Sequence, residues 1–225
     1  MAEFSDLFYK CFIREDRYKL LLSGIGVTIK VSLLAVIIGI IIGMLIAMCN
    51  LSHKKFLRVV GGVYTDVIRG TPSVTQLMII YFVIFAFVQL DKWIIAAIAF
   101  GINSGAYVSE IIRAGILSID KGQTEAGRSL GLSAFQTMSR IVIPQAVKNI
   151  FPALCNEFIV LIKETAIVGY VGLMDIQKAG DFIKSATFIA FMPLIGTAVI
   201  YYILIKILTL LLGRIEARLR KSDAR

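Results

Sequence analysis

Long apolar runs, broken by few charges, constrain what this chain can fold into. Residues 31–49 are apolar except for Ser32, and residues 73–90 are interrupted only by Ser, Thr and Gln. An α-helix rises about 1.5 Å per residue, so about 20 apolar residues cross the roughly 30 Å hydrocarbon core of a bilayer. The mean hydropathy is +0.83 and only 17% of residues are charged, against about 25% in average soluble proteins. The sequence therefore predicts an integral membrane protein.

Three further segments, residues 93–117, 148–172 and 192–212, are long enough to cross but contain polar or charged residues. With a first span at about residues 21–49, we predict an all-α fold with five transmembrane helices. Lys and Arg are concentrated after the first span, after the third span and in the carboxyl tail. Because cytoplasmic loops carry excess Lys and Arg, we expect an extracytoplasmic N-terminus and a cytoplasmic C-terminus. The net charge of +9 is then attributed to flanks facing anionic lipid, not to a nucleic-acid surface.

The remaining composition excludes several kinds of site. The N-terminal stretch is acidic where a signal peptide would be basic, so we expect the first span to be retained. Cys11, Cys49 and Cys155 are odd in number and widely spaced, and His53 is the only histidine. Neither a disulfide framework nor a metal site is predicted. We expect one domain, residues 1–225, without internal repeats.

The connections between spans carry their own signals. Residues 1–20 are predicted to be a polar external segment, with an interfacial helix as one possibility. Pro72, in "RGTPSVTQ", suits a first helical turn or a break at membrane depth. Residues 174–188 are polar and long enough for an external helix. The glycine pairs "GIIIG" (39–43) and "GINSG" (101–105) could let helices approach closely, although glycine is common in membrane helices and the contact stays open.

Charged residues inside predicted spans normally face a protein interior or a water-filled path. In the third span Asn103, Tyr107 and Glu110 share one helical face, and the fourth carries two polar pairs spaced by seven residues. Counted by helical rise from the external ends, Asn103, Lys163 and Glu164 lie about 12–15 Å deep. A second layer, about 22–26 Å deep, contains Glu110, Asn156 and Glu157.

The upper layer suits a zwitterion, because an ammonium group binds a carboxylate and a carboxylate binds an ammonium group. The alternative is that Lys163 and Glu164 neutralise partners on neighbouring helices. The predicted substrate path comprises Thr71, Gln76, Asn103, Tyr107, Lys163 and Glu164. The predicted gate or structural polar layer comprises Glu110, Arg113, Asn156 and Glu157. Lys206 could snorkel to the surface and have no role in transport.

Residues 124–146, "TEAGRSLGLSAFQTMSRIVIPQA", are unusually polar for their position between two spans. Residues 123–133 could form a short amphipathic helix with Ala126, Leu130 and Ala134 on one face. Gly131 and Ser133 would end it, and Pro144 would mark the start of the returning span. The residues alone leave a docking element and a solvated connection equally open.

The stretch "EAGRSLGLSAFQTMSRIVIP" resembles the EAA signature of bacterial ABC importer permeases. Glu125, Ala126, Gly131, Ile141 and Pro144 match at the required spacing, while Gly127 and Ile143 replace an Ala and a Leu. Three other stretches, "RGTPSVTQL", "INSGAYVSEIIRAGI" and "NEFIVLIKETAIVG", resemble helices of the polar amino-acid branch of that family. The resemblance covers nearly the whole chain.

The resemblance implies a permease subunit in the bacterial cytoplasmic membrane that imports a polar amino acid by alternating access. The loop at about residues 120–144 would hold a coupling helix that sits in a groove of a cytoplasmic ATP-binding subunit, and the complex would contain two copies of that subunit. A second permease chain, identical or paralogous, and an extracytoplasmic binding protein would complete the complex. The residues implied in coupling are Glu125, Ala126, Gly127, Ser129, Leu130 and Gly131.

The chain itself has no G-x-x-x-x-G-K-[ST] phosphate loop, so ATP and Mg would bind the partner ATP-binding subunit. We therefore expect this chain to be a permease subunit and not an enzyme. A permease for another zwitterion or osmolyte is the alternative within this class. A stand-alone secondary transporter or channel is disfavoured, because such carriers often contain internal repeats.

Overall fold

The computed structural model describes residues 2–221, and every regular element in that range is helical. The α-helices are α1 (Ala2–Phe8), α2 (Tyr18–Leu51), α3 (Lys55–Arg69), α4 (Ser73–Ile79), α5 (Lys92–Leu117), α6 (Lys121–Ser129), α7 (Ala134–Thr137), α8 (Ile143–Glu164), α9 (Ile176–Thr187) and α10 (Phe191–Lys221). Short π segments cover Tyr9–Ile13, Ile80–Ile84 and Met138–Val142, and 3₁₀ segments cover Arg14–Asp16 and Thr165–Val171. The predicted all-α class is confirmed for the described residues.

Three helices, α2, α5 and α10, are long and apolar enough to cross a membrane. The segments Lys55–Arg69 and Ser73–Ile84 meet the same criteria only as a pair, bent by 104° at the break between them. Length and composition thus give three spans, or four with the bent pair, over residues 2–221. α8 carries several charges and is not among them. The fifth span therefore stays a prediction.

The second predicted span, residues 73–90, is shorter than expected. Its helical part ends at Ile84, and the next residues form turns in which the Val88 N–H donates to the Phe85 carbonyl oxygen. Pro72, in extended backbone and without an N–H, separates α3 from α4. The helix predicted to residue 90 was wrong because apolarity continues through the turn, and hydropathy does not distinguish an apolar turn from a helix.

α2 and α5 pack through their two glycine pairs. A Cβ added at Gly43 would lie 3.1 Å from the Gly105 carbonyl oxygen. A Cβ added at Gly101 would lie 3.2 Å from the Ala35 carbonyl oxygen. A Cβ at Gly39 would lie 3.0 Å from the Ser104 side chain. The close helix contact that the sequence left open is therefore present, and both glycine pairs take part in it.

A buried carboxylate fixes α9. Asp175 accepts the backbone N–H groups of Gln177 and Lys178, each at 3.0 Å, and so caps the helix. The Tyr201 hydroxyl of α10 donates to the same carboxylate at 3.1 Å. Burial raises the pKa of the Asp175 carboxyl above its usual range. The helix expected within residues 174–188 is confirmed, and Asp175 joins it to α10.

The amino-terminal segment is helical and folds back onto the body of the protein. Cys11 and Phe12 are buried beside Ile183 of α9 and Met192 of α10. Glu15 has φ +59°, which turns the chain into α2. A position at the membrane interface stays a prediction.

Candidate functional site

The break between α3 and α4 brings Gln76 against α5. Its Oε1 accepts from Asn103 Nδ2 at 2.9 Å, and its Nε2 donates to Thr71 Oγ1 at 2.6 Å. The same Nε2 donates at 2.7 Å to the Ile68 carbonyl oxygen, one of those left unpaired at the end of α3. Gln76 and Asn103 are buried, whereas Thr71 is exposed. Three predicted path residues thus form one hydrogen-bonded cluster.

The C-terminal half of the predicted polar face on α5 holds an ion pair. Arg113 NH2 lies 2.7 Å from Glu110 Oε2, and Arg113 Nε donates to Glu110 Oε1 at 3.1 Å. Arg69, at the end of α3, lies over the Tyr107 ring, 5.4 Å from its centroid, and its charge acts on Glu110. The Glu110–Arg113 ion pair is confirmed, while a gating role stays a prediction. Arg69 is not among the site residues predicted from the sequence.

Ser104 is a site residue that sequence analysis missed. Its hydroxyl donates to Glu157 Oε1 at 2.8 Å, and both side chains are buried. A signal was available, since Ser104 is the small polar residue inside the "GINSG" pair and lies in the tight α2–α5 contact.

This bond also corrects the predicted layers. Glu157 lies level with Ser104, about one helical turn from the depth expected by counting residues, and Lys163 lies about 9 Å further along α8. Asn103 and Lys163 therefore do not share a layer, nor do Glu110 and Glu157. The count assumed helices parallel to the membrane normal, which sequence cannot test.

Lys163 and Glu164 end α8 without ion partners on other helices among residues 2–221. Lys163 is exposed and Glu164 is half-buried. Asn156, seven residues before Lys163, is exposed on the same helical face, whereas Glu157 is buried. The two stripes expected on α8 are thus distinct in their surroundings. Ligand contact and neutralisation of charges on neighbouring helices both stay predictions for Lys163 and Glu164.

The polar segment after α5 forms a short helix and a tight reversal. Asp120 caps α6 by accepting the Gly122 N–H at 2.7 Å. α6 ends at Ser129, and Gly131 has φ +82°, a left-handed conformation that glycine adopts without strain. Gly131 therefore ends the segment as predicted, but α6 stops at Ser129 and does not reach residue 133, and Ala134 belongs to α7.

The helix that follows starts earlier than predicted. Ser133 Oγ accepts the Gln136 N–H at 3.1 Å while Gln136 Oε1 accepts the Ser133 N–H at 2.8 Å, a reciprocal cap that starts α7. From α7 the chain remains helical through the π segment Met138–Val142 into α8. Pro144 lies in the first turn of α8, where it was predicted to mark the start of the returning span, although the chain is already helical before it.

Gly127 joins α6 to the returning helix. A Cβ there would lie 2.8 Å from Thr137 Cγ2 and 2.9 Å from Ile141 Cδ1. This crowding gives a physical reason for glycine where the EAA signature has a second alanine. The outer face of the segment is exposed, with Leu130 and Phe135 each 81% accessible. The other exposed residues among those implied in coupling are Glu125, Ala126, Ser129 and Gly131.

Comparison with known proteins gives the same family from sequence and structure. Residues 39–221 match the family described as binding-protein-dependent transport system inner membrane component. A Rickettsia bellii protein, named as permease GlnP of a glutamine transport system, is 43% identical over 201 residues, covering 88% of this chain and 92% of that one. The arginine transport system permease protein ArtQ of Bacillus subtilis is 42% identical over 205 residues, covering 90% and 94%. A crystal structure of an amino acid ABC transporter with histidines superposes with a TM-score of 0.84 at 42% identity, covering 92% and 98%.

Proposed function

Since this chain belongs to the inner membrane components of binding-protein-dependent transport systems, we propose that it is the permease subunit of an ATP-driven importer of a polar amino acid. The observation that carries the proposal is its identity of 42–43%, over nearly its whole length, to permeases named for glutamine and arginine. The polar cluster at Gln76 and Asn103 and the charges of Lys163 and Glu164 supply chemistry suited to such a ligand.

The proposed topology has five spans in a bacterial cytoplasmic membrane, with the N-terminus outside and the C-terminus inside. The three long apolar helices and the bent pair α3–α4 account for four of them. α8 with its 3₁₀ extension is the fifth; its length and its contacts with α2, α5 and α10 support this place inside the bundle. The whole chain is proposed as one transmembrane domain, residues 1–225, with the coupling loop at about residues 120–144.

The proposed substrate path runs along the exposed stripe of α8 and past the α3–α4 break. Lys163 offers an ammonium group for a carboxylate, and Glu164 offers a carboxylate for an ammonium group. Gln76 and Asn103 hold each other, with Thr71 exposed beside them, so that a passing ligand meets a fixed polar surface. Tyr107 belongs to the same path, while Glu110, Arg113, Asn156 and Glu157 form the proposed gate or structural polar layer.

The proposed coupling element is α6 with the turn at Gly131. Its exposed carboxylate, Glu125, would pair with a basic group on the ATP-binding subunit. Exposed Leu130 and Phe135 offer apolar contact area beside it. Gly127 fixes α6 on the helix that continues into α8, so a displacement of α6 is passed to the proposed path.

The proposed complex contains a second permease chain, two ATP-binding subunits that hold ATP and Mg, and an extracytoplasmic binding protein. This chain would supply no catalytic residue. Closure of the ATPase dimer would draw the coupling elements together and open the path outward, and hydrolysis would reset it inward. The binding protein would deliver the amino acid to the outward-open state.

The coupling assignment is tested by reversing one charge. Glu125→Arg should lower association with the ATP-binding subunits and amino-acid uptake in proteoliposomes at least tenfold, because a cation then faces a basic site. Glu3→Arg, the same change at an exposed glutamate of α1, is the matched control and should leave both unchanged. Wild-type assembly and uptake for Glu125→Arg would contradict the role of α6.

The substrate class is tested separately by uptake competition in the complete complex. L-glutamine, L-arginine and a neutral osmolyte such as glycine betaine should compete differently, with the polar amino acids effective. Competition by the osmolyte alone would replace the amino acid while leaving the importer assignment intact.

A further inference from the structure

A cleft of about 540 Å³ lies between the 3₁₀ segment Thr165–Val171 and α9, outside the polar cluster described above. Its volume falls in the range of about 300–1,000 Å³ that is typical of small-molecule sites. The residues that line it are Ala166, Ile167, Gly169, Tyr170, Gln177, Lys178 and Asp181. It therefore combines an apolar floor, an aromatic ring and both signs of charge.

The walls of the cleft are fixed by the backbone. The 3₁₀ segment continues α8 directly and ends at Gly172, whose φ of +75° reverses the chain. Asp175 then caps α9 and is held by Tyr201 of α10, so α9 is anchored beside the 3₁₀ segment. Because both walls are tied to the helical bundle, the cleft is preformed.

Lys178 is aimed across this cleft. Its stem lies against Gly169, where an added Cβ would come within 3.1 Å of Lys178 Cδ. A larger residue at 169 would displace the lysine, so the glycine sets its position. The Lys178 ammonium is exposed and forms no ion pair with another residue in the range 2–221.

A negative charge lies one turn along the same helix. Asp181 Oδ1 accepts from Lys184 at 2.7 Å, while Oδ2 has no bond of its own to a protein group in the described chain. Tyr170 presents a ring that is 65% exposed, and aromatic faces attract ammonium groups. The cleft thus offers a cation for a carboxylate, and a carboxylate and a ring for an ammonium group.

We propose that this cleft is an outer subsite for a zwitterionic amino acid, in which Lys178 binds the α-carboxylate and Asp181 with Tyr170 binds the α-ammonium group. Ala166 and Ile167 face the amino-acid side chain. The proposal rests on the proposed function and adds a second position to it. The 3₁₀ rise of about 2 Å per residue puts Gly169 about 10 Å beyond Glu164, so a ligand here waits one step before the path.

The test is equilibrium binding of tritiated L-glutamine and L-arginine, up to millimolar concentration, to the assembled permease–ATPase complex without binding protein. The wild type should bind at two positions per permease chain. Lys178→Met and Asp181→Asn should each weaken amino-acid binding at the outer position at least tenfold, while Lys163→Met should weaken binding at the other position. Lys10→Met, an exposed lysine outside the cleft, is the charge-matched control.

Two results overturn the outer subsite. The first is unchanged amino-acid binding by both Lys178→Met and Asp181→Asn. The second is unchanged amino-acid binding together with weaker association of the binding protein, because the cleft would then be a protein-docking surface. Uptake by the complete wild-type complex is measured in parallel. If uptake persists while the second position is absent, the proposed function stands and only the subsite fails; absence of amino-acid uptake would count against the function itself.

Discussion

Ser104 satisfies the buried carboxylate of Glu157 from a neighbouring helix, and this bond is sensitive to one substitution. Ser104→Ala should lower the free energy of unfolding by about 1–3 kcal/mol, because it leaves a buried acceptor without its partner. The measurement is thermal unfolding of the purified protein in detergent. Ser109→Ala is the matched control: this serine is also buried in α5, but within residues 2–221 its hydroxyl donates to the Ala106 carbonyl oxygen of its own helix and to no other helix. Equal losses for the two variants would show that the inter-helical bond has no special weight.

Asp175 is a second residue with a measurable signature, the dependence of stability on pH. Burial raises the pKa of its carboxyl in the folded protein, so folding favours the protonated form. The stabilisation is complete below the unfolded pKa of about 4 and is lost as pH rises through the raised folded value. Asp175→Asn should therefore flatten the decline of melting temperature above pH 4.

Asparagine is also a good helix cap, so the Asp175→Asn variant should still fold. The control is Asp120→Asn, at an exposed cap of α6. It places the same substitution at a helix cap that is not buried, so the effect of burial is measured as the difference between the two variants. Identical slopes for wild type and Asp175→Asn between pH 4 and 7 would contradict the assignment.

At the scale of elements, the α2–α5 contact depends on glycine on both sides. Gly101→Ala puts a Cβ 2.6 Å from the Ile38 side chain and 3.2 Å from the Ala35 carbonyl oxygen, so the helices must separate. We expect the free energy of unfolding to fall by about 1–3 kcal/mol, the usual cost of overpacking. Gly26→Ala on α2 is the control, because a Cβ added there would have no described atom within 4 Å apart from the neighbouring backbone of its own helix. It should be neutral or stabilising by up to about 1 kcal/mol through helix propensity. Thermal unfolding of the two variants checks the contrast, and a harmless Gly101→Ala would mean that the helices do not pack this closely.

How far sequence could predict these elements depended on the kind of signal. The apolar runs located α2, α5 and α10, because burial in lipid requires them over a fixed length. Pro144 indicated the first turn of α8, but the sequence interpretation did not use the reciprocal cap at Ser133, which starts α7 and makes the chain helical before α8. Sequence spacing gave the shared faces of α5 and α8 correctly. It could not give their relative height, since tilt is set by packing, and so the Ser104–Glu157 bond was missed.

At the scale of the whole molecule, one continuous helical path joins the two proposed sites. The helix that starts at Ala134 beside α6 runs through Pro144 and Pro152 to Glu164. At about 1.5 Å per residue it spans about 45 Å. In the proposed coupling, a displacement of α6 would therefore reach Lys163 and Glu164 without crossing a flexible connection. The π segment and the two prolines are places where the helix can bend.

Transport by the complete complex should depend on the end of this helix and not on intramembrane charge in general. Lys163→Met and Glu164→Gln should each reduce amino-acid uptake and substrate-stimulated ATPase activity at least tenfold, because each would remove the proposed charge-assisted contact with the ligand and leave α6 unchanged. Lys206→Met, at an exposed lysine of α10, is the matched control and should transport normally. Basal ATPase activity should be unchanged in all three variants, since coupling through α6 is intact. Wild-type uptake with unaltered substrate preference in both Lys163→Met and Glu164→Gln would contradict ligand binding by these two residues. They would then have a structural role, and the path would lie elsewhere on α8.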